Sequence, residues 1–118
     1  MQRTIIGLDI GHSSVKVVAS SSSGRHQFLF PSVAIPAFAI SDEGEARIAA
    51  TETVTVGQRK FFVGETALVQ SCGQPPALGL TNDWIETPEH SALIAGAAKK
   101  LERHGLDLRN CLVVTGLP

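Results

Sequence analysis

The amino-acid sequence predicts a mixed α/β fold: an antiparallel strand meander, an inserted β and loop region, then a helix–strand unit. Two observations lead to it. Residues 4–30 hold three short runs with strand-like apolar spacing, separated by polar turns. Residues 87–118 hold one well-capped helical pattern followed by a β-branched run.

The first strand covers about Thr4–Ile10 and the second about Ser14–Ser20, joined by a tight polar turn. The serines from Ser20 to Ser23, with Gly24, reverse the chain again, because small polar residues and glycine favour turns. Arg25–Phe30 returns as a third strand. Pro31 ends it, and Pro31–Pro36 continues extended, since a residue before proline avoids the helical region. Ser41–Glu45 reads as an acidic, glycine-containing loop. A hairpin follows: Thr51–Val56 alternates, Gly57–Arg59 turns the chain, and Lys60–Val63 comes back. Gly64–Gln70 reads as a short helical turn. Gly73–Asp83, with Pro75, Pro76 and Gly79, reads as loop.

The helix begins with Thr87 as N-cap, Pro88 at the first helical position and Glu89 at the positive end. Its body runs to His104, and Gly105 is the residue expected just past its C-terminus. Leu93, Ala97 and Leu101, joined by Ile94 and Ala98, form one apolar stripe. Small residues from Ala92 to Ala98 make its middle slim, so it should pack close to a sheet. Trp84 is expected to cover the helix start. Cys111–Thr115 and the residues after it read as a buried strand. Domains seldom end at the exit of an interior strand, so the chain is expected to be the N-terminal piece of a longer protein.

Composition narrows the function. A chain of 118 residues, 43% hydrophobic and 18% charged, is one globular domain or less. Its net charge of −1 gives no electrostatic footprint for nucleic acid or an anionic membrane. The apolar runs are too short for a membrane-spanning helix and too mixed for a signal peptide, which points to the cytoplasm. Cys72 and Cys111 lack metal-site spacing and read as reduced thiols.

The chemistry concentrates in the opening hairpin. Asp9 closes the first strand and can orient the water shell of Mg²⁺, a hard cation that keeps several of its waters. The amides of Gly11, His12, Ser13 and Ser14 can converge on phosphate oxygens, as successive N–H groups in a turn do. Gly11 permits close backbone approach or a positive φ, and Lys16 adds a cation. Taken alone, this pattern also suits an ordinary hairpin with a solvated aspartate and lysine.

Four landmarks in order extend it. Asp9–Lys16 resembles the first phosphate motif of the actin-like ATPase superfamily, which includes DnaK-type chaperones and sugar kinases. Pro31–Ala34 resembles the entry to the inserted subdomain of that superfamily, and Val63–Ala67 its Val-Gly-x-x-Ala element. Val113–Pro118, after a helix carrying His90, Ala92 and Leu93, is most similar to the N-terminal part of the plasmid-segregation actins of ParM/StbA type.

The resemblance implies an RNase H-like subdomain with a β-rich insertion at about 35–83. It implies ATP or GTP as ligand, with Mg²⁺ held by Asp9 through water, the Gly11–Ser14 turn on the phosphates and Lys16 reaching them. His12 departs from the serine or threonine that the family often carries there, and Ser13 is the alternative hydroxyl. Glu65 reads as an exposed carboxylate at a helix start, with a polar cleft contact as the alternative. His90 and His104 read as surface or capping residues. The implied partners are further copies in a filament and an adaptor protein, with DNA contacted only indirectly and no membrane insertion. A nucleotide-binding membrane-assembly adaptor of PilM/FtsA type and a small-molecule kinase are the competing functions. The second phosphate hairpin and the adenosine pocket are expected after Pro118, so no catalytic set is complete here and ATP turnover by these residues should be weak or absent.

Overall fold

Alternating apolar residues fold the opening of the chain into three antiparallel strands, β1 (Thr4–Ile10), β2 (Ser14–Ser21) and β3 (Gly24–Pro31). The computed structural model describes residues 3–71 and 86–115. The expectations for Cys72, the 73–83 loop, Trp84 and residues 116–118 lie outside them. β1 pairs with β2 from Ile5↔Ser20 to Ile10↔Val15, and β2 with β3 from Ser14↔Pro31 to Ser21↔Gly24. Because successive side chains leave opposite faces of a strand, Ile6, Leu8, Val15, Val17 and Ala19 are buried together. The other face carries Ile5, Asp9, Lys16 and Leu29, all exposed.

β7 (Cys111–Thr115) joins this sheet parallel to β1, giving the order β3-β2-β1-β7. It departs from the expected buried strand. Leu112, Val113 and Val114 are 46–56% exposed, because β7 sits at the sheet edge and β1 is its strand neighbour. An apolar, β-branched run suits a strand covered on both faces, and the described residues do not cover this one.

A second sheet forms from β4 (Ala34–Pro36), β5 (Thr53–Val56) and β6 (Arg59–Val63) in the order β4-β6-β5. Between β4 and β5 lies α1 (Glu43–Ala50), where the sequence reading placed an acidic loop over Ser41–Glu45. Asp42 caps this helix by accepting from the Glu45 N–H at 2.8 Å, and Glu43 and Glu45 sit in its positive first turn. The acidic cluster is therefore a helix start. The short helix expected after β6 is α2 (Glu65–Gln70).

The main helix, α3 (Pro88–Arg103), has the expected ends: Thr87 Oγ1 accepts from the His90 N–H, His104 caps the C-terminus, and Gly105 follows at φ +86°. It packs against strands of both sheets. Leu93 and Leu101 join Val15 and Val17 of the first sheet and Val54, Phe61 and Val63 of the second in one core. Gly96 sets the spacing: a Cβ there would stand 2.8 Å from Val63 Cγ2. That close approach turns the Ala92–Gly96 side inward and leaves Ile94, expected in the buried stripe, 42% exposed. A smaller cluster of Val33, Ala49, Phe62 and Ala67 packs α1 and α2 onto the second sheet. Among the described residues no helix is long and apolar enough to cross a membrane.

Candidate phosphate-binding site

The register of β1 against β2 decides what the hairpin presents. Asp9 is paired directly with Lys16, and both are exposed on the face opposite the core. The carboxylate and the ammonium therefore flank one edge of the turn. Among the described residues neither is engaged in an ion pair; those found are Lys100–Glu52 and Arg109–Asp107.

The turn between them is tightly drawn. The Gly11 N–H donates to the Ser14 carbonyl at 3.0 Å, and a Cβ on Gly11 would lie only 3.1 Å from that same oxygen. Gly11 is absent from the positive-φ glycines, so close approach explains it. Its amide is engaged inside the hairpin, whereas the sequence reading offered it to phosphate.

A residue the sequence reading treated only as part of a landmark completes the geometry. Ser32, buried and just beyond β3, donates through Oγ to the Gly11 carbonyl at 2.6 Å and through its N–H to the Ser13 carbonyl at 3.0 Å. The pairing Ser14↔Pro31 places it there, across 21 residues of sequence.

The family model for the N-terminal domain of actin-like proteins matches residues 7–118, a span that contains the β1–β2 turn, its Ser32 brace and the whole smaller sheet. The chain belongs to that family. Solved actin-like structures share the fold at low identity. AlfA from B. subtilis plasmid pLS32, in its filament structure, is 18% identical with a TM-score of 0.67, over 98% of this chain and 41% of AlfA. Bacillus thuringiensis ParM with AMPPNP is 18% identical with a TM-score of 0.63, over all of this chain and 35% of ParM. The same ParM with ATP is 19% identical with a TM-score of 0.61, over all of this chain and 34% of ParM. The chain thus spans well under half the length of these proteins. Sequence comparison with curated proteins gives no match.

Within this actin-like domain the metal chemistry is sparse. Among the described residues no three histidine, cysteine or carboxylate side chains gather to hold an ion. The donor set at the turn suits Mg²⁺ bound through water and phosphate oxygens, which needs only one or two carboxylates.

Other titratable groups of the actin-like domain serve the frame. Glu65, an alternative cleft contact, is the exposed first residue of α2. The nearby buried carboxylate is Glu52, which the sequence reading passed over. Its Oε1 accepts from the Thr66 N–H at 3.0 Å and from Thr66 Oγ1 at 2.7 Å, and its Oε2 accepts from Lys100 Nζ at 2.8 Å. Burial alone would raise the Glu52 pKa. The hydrogen bonds from Lys100 and Thr66, with the charge of Lys100, outweigh burial and hold it below the ordinary glutamate value. Gly64 makes room for that carboxylate, since a Cβ there would stand 2.7 Å from Oε2, and its φ of +71° suits glycine. Lys99 Nζ adds bonds to the Ala50 and Thr53 carbonyls at 2.8 and 2.7 Å. His104 is the C-cap of α3, whereas His90 lies in its first turn and is itself capped, its N–H donating to Thr87 Oγ1. Burial pushes the His90 imidazole below its usual value.

Proposed function

We propose that the β1–β2 hairpin holds the phosphates of ATP, or GTP, with Mg²⁺. The chain then serves as the N-terminal segment of a ParM-like ATPase that polymerises with nucleotide and segregates plasmids in the cytoplasm. The observation that carries this is the direct pairing of Asp9 with Lys16 beside a braced turn, in a chain of the actin-like family. Asp9 orients the Mg²⁺ waters, Lys16 neutralises phosphate charge, and the turn from His12 to Ser14 supplies N–H groups, with Gly11 shaping it. Positioning and charge are what phosphoryl transfer requires of a protein. The solved ParM with ATP and the AlfA filament support nucleotide and self-association as the ligands to test.

In the same reading residues 35–83 form an inserted subdomain, supported by the separate β4-β6-β5 sheet with α1 and α2. An adaptor protein links the filament to DNA, which fits the near-neutral charge of this segment. Titrating the chain with Mg·ATP, followed by backbone NMR, tests the proposal. Shifts should centre on 12–14, require Mg²⁺, and weaken about tenfold or more in Asp9→Ala, the scale of one lost charge-assisted contact. Shifts that ignore Mg²⁺ and Asp9 would sink it.

A further inference from the structure

Ser32 touches the hairpin twice, and the geometry of those contacts has a chemical direction. A trans peptide is planar, so a carbonyl and the following N–H point opposite ways, and no described peptide bond is cis. Ser32 Oγ holds the Gly11 carbonyl, which turns the His12 N–H away from Ser32. The Ser32 N–H holds the Ser13 carbonyl, which turns the Ser14 N–H away as well. Two carbonyl oxygens that would repel a phosphate are thereby drawn inward, and two amide dipoles are aimed to the far side of the turn.

The same short segment is tied to the second sheet. The Gly64 N–H donates to the Val33 carbonyl at 2.9 Å, one residue beyond Ser32, and Ala34 pairs with Val63. Ser32 is only 5% exposed, so its donor geometry is fixed by packing.

From this geometry we infer that Ser32 is the positioning residue of the phosphate turn: it orients the His12 and Ser14 amides and couples them to the strand junction at Val33 and Gly64. The inference rests on the phosphate reading above. It assigns to Ser32 an orienting role without any contact to nucleotide, and it makes the smaller sheet mechanically continuous with the turn.

Ser32→Ala removes the hydroxyl bond but keeps the backbone bond. In the full chain it should weaken Mg·ATP binding about fivefold to tenfold, the scale of one buried hydrogen bond. It should also shift the backbone amide resonance of His12, whose N–H the lost bond orients. Ser32→Thr, which keeps the hydroxyl, should restore both. Thr66→Val is the control, since it deletes a buried hydroxyl donor to Glu52 far along the chain. It should lower the unfolding midpoint by a similar amount and leave Mg·ATP affinity unchanged. Equal affinity in Ser32→Ala and wild type overturns the positioning role. So does a loss that Thr66→Val shares, or one that Ser32→Thr fails to restore. A wild-type chain that binds no Mg·ATP overturns the phosphate reading itself, and the role with it.

Discussion

Two regions of this molecule use a carboxylate beside a lysine, and they use it in opposite ways. At the junction of α1, α2 and α3, Glu52 is buried and both its oxygens receive donors from Thr66 and Lys100. At the β1–β2 turn, Asp9 and Lys16 face each other in register but stand exposed, while the backbone beneath them is pinned by Ser32. The first arrangement is closed and holds the frame. The second has a rigid frame with open charges, which is what a binding site needs: positions fixed by the fold, and hydrogen-bonding capacity left for a ligand. Charge content alone does not separate the two regions; how far the chain satisfies its own polar groups does.

The comparison breaks most visibly at Glu52. Glu52→Ala strands Lys100 and the Thr66 hydroxyl, and removing one partner of a buried pair typically costs about 3 kcal/mol. Urea unfolding should register a loss of that order, whereas Asp9→Ala should stay within about 0.5 kcal/mol, as exposed sites do. Comparable losses at both positions would erase the distinction.

Gly96→Ala probes the spacing that lets α3 bring Lys99 and Lys100 over the smaller sheet. The added methyl meets Val63, fully buried on β6. Overpacking should cost about 1–3 kcal/mol, less about 1 kcal/mol regained from helix propensity. A stabilised variant would mean that the helix is free to retreat.

The mildest test is acid. The Glu52 pKa is lowered in the folded state, so its contribution is full above the unfolded value, about 4.3. That contribution is lost as pH falls below that value and through the lower folded one. Stability against pH should therefore drop less steeply in Glu52→Gln than in wild type below about pH 4.3. Identical slopes would show that Glu52 titrates alike in both states.

Legibility in the sequence followed the range of the contacts. The meander, both ends of α3 and the placement of Asp9 and Lys16 on neighbouring strands were readable because alternation, caps and short turns are local signals. The helix α1 was misread because Gly44 and the acidic cluster look like a loop, although Asp42 and Glu45 stand at capping-box spacing. β7 was correctly placed as a strand, but its exposure depends on what covers it, which its own residues do not encode. Ser32 and Glu52 were missed as hydrogen-bonding hubs for the same reason. Their partners lie 14 to 48 residues away in sequence, and only the register of the sheets and the docking of α3 bring them together.

The parallel pairing of β1 with β7 has a kinetic side. Thr4 meets Cys111, so this contact closes nearly the whole described chain, while β1, β2 and β3 are joined by short turns. Loop closure of that length is entropically expensive and nonlocal pairing forms slowly. The meander that carries Asp9 and Lys16 should assemble early, with β1 flanked on one side only, and its second neighbour should arrive last. In a chain emerging from the ribosome, the β1–β2 turn would then exist before the sheet that seats it is finished.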